Sequence, residues 1–80
     1  MEPAVAFGKV LRKLRREAEL TQEQLGFESD LQRVYISLLE LGQKQPTLTT
    51  IIKLASGLRV TPEHLVSLVG AELSKGKKKG

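Results

Sequence analysis

Eighty residues are enough for one small domain with a single hydrophobic core, and the absence of cysteine excludes a disulfide framework and a thiolate metal site. His64 is the only histidine, so no metal centre is expected, and no apolar run reaches the ~20 residues that cross a bilayer. The net charge of +4 misleads as a total: Lys75, Lys77, Lys78 and Lys79 crowd the C-terminal end, and without them the chain carries nine basic and nine acidic residues. Charge alone therefore predicts no nucleic-acid partner. The N-terminus lacks the basic and apolar segments of a signal peptide, so a soluble cytoplasmic protein with no membrane contact is the default expectation.

The first predicted element is a helix over residues 4–19. Phe7, Leu11, Leu14 and Ala18 recur at spacings of four, three and four, Val10 widens the stripe, and Pro3 sits where a missing N–H costs little. Lys9, Arg12, Lys13, Arg15 and Arg16 crowd this helix, and Glu17, Glu19, Glu23, Glu28 and Asp30 follow it. Thr21 reads as the cap of a second helix, with Gln24 completing a capping box and Leu20 and Leu25 placed as a hydrophobic staple. That helix should run to about Glu28, with Ser29 and Asp30 as a break.

A third helix covers roughly Gln32 to Leu41. Tyr35, Ile36 and Leu39 fall on one side, and Arg33, Val34, Ser37 and Leu41 on the other. Gly42 is a stop, and Gln43-Lys44-Gln45-Pro46 is a polar loop that Pro46 keeps out of helix. Thr47 caps a fourth helix with Leu48, Ile51, Ile52, Leu54 and Ala55 apolar, closed by Gly57 and Leu58. Thr61-Pro62 starts a fifth, with Leu65, Val66, Leu68 and Val69 apolar. It should fray from Gly70, leaving 71–80 as a flexible basic tail. The expectation is all-α: five helices, no strand, and one core of Phe7, Leu11, Leu14, Leu25, Leu31, Ile36, Leu39, Leu48, Ile51, Leu54, Leu58 and Leu65.

Helices 2 and 3, short and joined by a tight polar break, have the plan of a helix-turn-helix. In that unit the first helix braces on the phosphate backbone and the second lies in the major groove. An arginine can bind guanine O6 and N7 together, a glutamine can do the same for adenine, and valine offers a methyl surface to thymine. Gln32, Arg33, Val34 and Ser37 are therefore the candidates for base readout. Gln22 brings an amide donor to the free N–H groups and positive dipole end of helix 2, which suits a phosphate; Thr21 beside it is a second phosphate candidate. Tyr35 has two readings: its hydroxyl reaches a phosphate, or its role is structural.

Residues 7 to 69 resemble the lambda-repressor-like, Cro-type helix-turn-helix domains of the XRE family. The resemblance is carried by Leu11-Arg12-Lys13-Leu14-Arg15, Leu20-Thr21-Gln22-Glu23-Gln24-Leu25, Arg33-Val34-Tyr35-Ile36-Ser37 with Leu39-Glu40 and Gly42, then Pro46-Thr47-Leu48 and Leu54-Ala55. Four positions depart from it. Gly26 stands where Ala is frequent, Asp30 where Gly is frequent, Leu41 where a basic or amide residue is frequent, and Gln32 where a Ser, Thr or Asp cap is usual. The resemblance implies a five-helix domain over 4–70, with helix 3 in the major groove of double-stranded DNA. It implies an Arg15–Glu40 ion pair, and a loop at Gln43 and Lys44 that passes the DNA backbone. It further implies a homodimer formed through the C-terminal helices, for which Leu58, Arg59, Val60, Val66 and Val69 offer surface. The function so implied is a sequence-specific regulator, such as a repressor, on a palindromic operator. Protein concentration would set its occupancy, as in Cro-like proteins or restriction-modification controllers. The competing reading is a protein-interaction module of the same fold, of antitoxin or bridging type, which the exposed leucines of helix 3 and the neutral domain suit. No paired carboxylates or nucleophile–base pair stand out, so no enzyme, cofactor or small-molecule ligand is expected.

Overall fold

The computed structural model describes residues 1–76. Its elements are α1 (Pro3–Glu17), α2 (Gln22–Ser29), α3 (Arg33–Glu40), α4 (Leu48–Leu58) and α5 (Pro62–Gly76), with no strand among the described residues. Threonine starts three of them. The Gln24 N–H donates to Thr21 Oγ1 at 3.0 Å while the Thr21 N–H donates to Gln24 Oε1 at 2.8 Å, a complete capping box. Thr47 and Thr61 accept from the N–H groups of Thr50 and His64 at 3.1 and 3.0 Å. α3 starts without such help: Gln32 precedes it in an extended conformation and makes no side-chain cap.

The first four helices end alike. In each, one N–H past the helix reaches a carbonyl three residues back and the next N–H reaches one five residues back. The pairs are Glu19 to Arg16 with Leu20 to Arg15, Asp30 to Phe27 with Leu31 to Gly26, Gly42 to Leu39 with Gln43 to Leu38, and Arg59 to Ser56 with Val60 to Ala55. This closure satisfies the last carbonyls and needs a left-handed residue at the turn. Gly42 supplies it after α3 at φ 74°, but Glu19, Asp30 and Arg59 adopt φ 60°, 57° and 62° despite their side chains. Leu20, Leu31 and Val60, the residues after those three, pack against the core. Asp30 thus closes α2 and does not cap α3.

The core holds Phe7, Val10, Leu11, Leu25, Ile36, Leu39, Leu54, Ala55, Leu58 and Leu65, with Leu14, Leu31 and Ile51 half-buried around it. α2 packs on α4, and α1 packs on both α3 and α5. At the α1–α3 crossing a Cβ on Gly8 would lie 2.4 Å from the Leu39 carbonyl oxygen, so only glycine lets α1 meet the end of α3 this closely. Three expectations fail. Leu48, the first residue of α4, is 73% exposed and lies outside the core. α5 continues through Gly70 to Gly76, since Ala71, Glu72 and Leu73 favour helix and Lys75 pairs with Glu72 at 3.6 Å. Leu58 is buried in the core and is not surface for a partner; the exposed apolar residues of α4 and α5 are Leu48, Ile52 and Val66. The remainder of the expected tail, from residue 77, lies outside the described residues.

The left-handed Asp30 generates a stability prediction. Glycine there relieves the Cβ clash but loses more entropy on folding, for a net gain of ~0.5–1 kcal/mol. The Asp30–Lys53 pair at 3.5 Å offers little against this, because the Asp30 side chain is 95% exposed. Asp30→Gly should raise Tm by a few degrees in a circular-dichroism melt; a lower Tm would show that the aspartate is preferred.

Candidate nucleic-acid interface

The two short helices are positioned by one charged cluster. Arg15, in the last turn of α1, forks onto Glu40, the last residue of α3: Nε donates to Oε2 at 2.5 Å and Nη2 to Oε1 at 3.1 Å. Its third arm, Nη1, donates to the Leu20 carbonyl at 2.8 Å, holding the residue just before the cap of α2. Gln22, the first residue of α2, donates from Nε2 to the same Glu40 Oε1 at 3.1 Å. The Arg15 and Glu40 side chains are 13% and 5% exposed. The hydrogen bond to Glu40 raises the guanidinium pKa, partial burial opposes that, and the attraction of the carboxylate adds to it. A raised pKa gives stability that is present below the unfolded value and lost only as pH climbs through the higher folded value, so Arg15 stays charged at any ordinary pH.

On the far side of α3 from Ile36 and Leu39, Arg33 and Val34 are exposed and Ser37 is half-buried, and Gln32, which precedes the helix in an extended conformation, is exposed. Arg33 and Val34 open the helix and Ser37 stands at its middle. No carboxylate lies within ion-pair distance of Arg33 among the described residues. Gln43 and Lys44 are exposed in the loop after α3. Thr21 already accepts from α2 through its hydroxyl oxygen, which leaves the hydroxyl proton free to donate outward.

Tyr35 is half-buried, packs against the core, and places its hydroxyl 3.1 Å from Thr50 Oγ1. Thr50 also receives a hydrogen bond from Thr47 Oγ1 at 3.0 Å. Each hydroxyl of the Tyr35–Thr50 pair can donate or accept. Tyr35 therefore braces α3 on the start of α4, and its hydroxyl keeps hydrogen-bonding capacity beyond that one bond. Thr50 carries no sequence signal as a partner of Tyr35. A Thr-x-x-Thr spacing at a helix start signals a cap, but nothing local shows that the second threonine meets a tyrosine fifteen residues away. The Gln22–Glu40 bond, across eighteen residues, had no local signal either.

A helix-turn-helix family profile matches residues 11–65. The chain belongs to the Cro/C1-type helix-turn-helix family of DNA-binding transcriptional regulators. Control protein C.MunI of a Mycoplasma species is 36% identical over 69 residues, which cover 85% of this chain and 93% of that protein. The restriction-modification controller protein C.AhdI from Aeromonas hydrophila superposes with a TM-score of 0.75 at 44% identity, over 78% of this chain and 94% of its own. C.Esp1396I bound to a 19-base-pair DNA duplex superposes with a TM-score of 0.83 at 27% identity, over 91% and 97% of the two chains. Members of this family are regulators and not enzymes. No helix among the described residues is long and apolar enough to cross a membrane.

In this helix-turn-helix protein, removing one partner of the central ion pair should be severe. Glu40→Ala leaves the Arg15 charge largely buried and unpaired, at a cost of ~3–5 kcal/mol. Urea unfolding followed by circular dichroism reads the loss, and an unchanged midpoint would show that the pair is not a support of the fold.

Proposed function

We propose that the protein is a cytoplasmic, sequence-specific transcriptional regulator that binds a palindromic operator as a homodimer, with α3 in the major groove. The observation that carries this reading is the exposed row of Gln32, Arg33 and Val34 at the start of α3. Their side chains make no hydrogen bond or ion pair among the described residues, on a helix whose far end is locked by the Arg15–Glu40 fork. The N-terminal end of a recognition helix is the part that approaches base edges. Gln32, Arg33, Val34 and Ser37 read bases, and Thr21, Gln22, Tyr35, Gln43 and Lys44 hold phosphates. Similarity to a controller protein bound to a DNA duplex supports DNA binding, and the controller relatives support a regulatory role.

Arg33→Ala should cost ~1–3 kcal/mol per half-site and relax preference at one base position. Operators selected from a random duplex pool, then titrated with wild type and variant, test this. A uniform loss on operator and scrambled duplex alike would make Arg33 a backbone contact and pass readout to Gln32, Val34 and Ser37. If the wild type bound no duplex at any salt concentration, the exposed Val34 and Leu41 on α3 would favour the protein-interaction reading.

The dimer uses α4 and α5. Leu48 and Ile52 lie one turn apart on α4, and Val66 on α5 borders a cleft lined by Ile51 and Val69. Together they expose more apolar surface than the monomer needs. Two recognition helices then sit ~34 Å apart, one turn of DNA. Ile52→Glu should convert a dimer to a monomer in sedimentation; a monomeric wild type, both free at micromolar concentration and on the operator, would defeat the assignment.

A further inference from the structure

Glu40 Oε1 accepts from two donors at once, Arg15 Nη2 and Gln22 Nε2, each at 3.1 Å. The Arg15 fork alone gives a donor to both carboxylate oxygens, so the glutamine is not needed to satisfy Glu40. Gln22 is not needed to cap α2 either, because Thr21 and Gln24 do that reciprocally. The Gln22–Glu40 bond is therefore surplus to what Glu40 and the α2 cap require.

Its effect is on the amide itself. A carboxylate only accepts hydrogen bonds, so Gln22 must turn its nitrogen toward Glu40 and cannot turn its oxygen there. One Nε2 hydrogen is used and the other is left for a further acceptor. Both the rotamer and the amide orientation are thus chosen before any ligand arrives. Arg15 also cancels the Glu40 charge, which lets a carboxylate sit this near a phosphate path without repelling it.

We propose that Glu40 is a positioning residue for DNA binding: it presets the Gln22 side chain so that its remaining N–H meets a backbone phosphate. This rests on the reading of Gln22 as a phosphate contact. An unrestrained glutamine loses side-chain freedom when it binds, and the preset one has already lost it, a difference worth roughly three- to tenfold in affinity. Because the contact is to phosphate, the advantage is the same on every sequence.

A double-mutant cycle on the full chain tests the proposal. Glu40→Asp keeps a negative charge near Arg15 but withdraws the carboxylate by one methylene from both Arg15 and Gln22, so the Gln22→Ala background is needed to separate the two losses. Dissociation constants are measured for wild type, Gln22→Ala, Glu40→Asp and the double variant, on the selected operator and on a scrambled duplex, with circular dichroism verifying folding at the assay temperature. Glu40→Asp should weaken both duplexes by the same factor, roughly three- to tenfold, and should add nothing in the Gln22→Ala background. Equal losses in both backgrounds would mean that Glu40 acts through the fold alone, and the proposal would fail. No loss for Glu40→Asp beside a clear loss for Gln22→Ala would leave the phosphate contact standing and remove the positioning role. No effect of Gln22→Ala on either duplex would remove the contact itself. Should Glu40→Asp not fold, nitrogen relaxation of the Gln22 side-chain amide in the free wild-type protein decides: an amide as rigid as the backbone supports the proposal, and a freely rotating one overturns it.

Discussion

The fork between Arg15 and Glu40 joins the last turn of α1 to the last residue of α3, and draws the Leu20 carbonyl and the Gln22 amide onto the same pair. A largely buried ion pair contributes little net stability, because the desolvation of two charges offsets most of their attraction. What it supplies is geometry. Two helices of eight residues each, α2 and α3, have few side chains with which to fix their mutual angle by packing alone. The planar guanidinium fits the carboxylate in one orientation, and its third arm reaches the segment that launches α2. Gly8 completes the restraint by letting α1 lie directly on the end of α3. A DNA reader needs the start of α2 and the face of α3 held together, since both must meet the duplex at once.

The turns show the same preference for placement over stability. Three of the four matching helix ends use a residue with a side chain in the left-handed region, at Glu19, Asp30 and Arg59. Each is strained relative to glycine. The reward is that the next residue, Leu20, Leu31 or Val60, is delivered into the core. Leu31 sits between the two helices of the motif, so closing α2 and seating α3 are one event. This compensates for the missing side-chain cap at Gln32: α3 starts in the right place because the turn before it is anchored by its own leucine and by the Leu31 to Gly26 bond at 2.8 Å.

Much of the fold was legible because its signals are local. Thr21 with Gln24, Thr47 and Thr61-Pro62 start helices by hydrogen bonds that span three residues, and the apolar spacing of each segment shows its buried face. The failures come where the answer depends on neighbours distant in sequence. Leu48 continues the apolar pattern of α4, yet what lies opposite its first turn is set by the fold. Gly70 reads as a stop, but nothing touches it, and the helix-forming residues beyond carry α5 onward. At the candidate interface, the exposed face of α3 followed from helical angle. The partners of Tyr35 and Gln22 did not, because fifteen and eighteen residues separate them from Thr50 and Glu40.

These arrangements explain how a folded domain with balanced charge can serve as a DNA reader. Long-range attraction to the duplex scales with the cations brought to it, and the proposed contact surface offers only Arg33 and Lys44. Its remaining donors, Thr21, Gln22, Tyr35 and Gln43, are neutral. A neutral donor releases no counterion and gains little from a distance. It must therefore gain at contact, where the entropy of ordering a side chain is a large fraction of one hydrogen bond's worth. A surface of this kind profits from donors that are ordered in advance, and at Thr21 and Gln22 an intramolecular hydrogen bond already holds the side chain while leaving one proton unspent. The same chemistry limits what the proposed surface can discriminate: preset neutral donors suit phosphates, which every sequence presents alike, so in the proposed assignment selectivity falls to the unrestrained residues at the start of α3. That division places rigidity where the duplex is uniform and freedom where it varies.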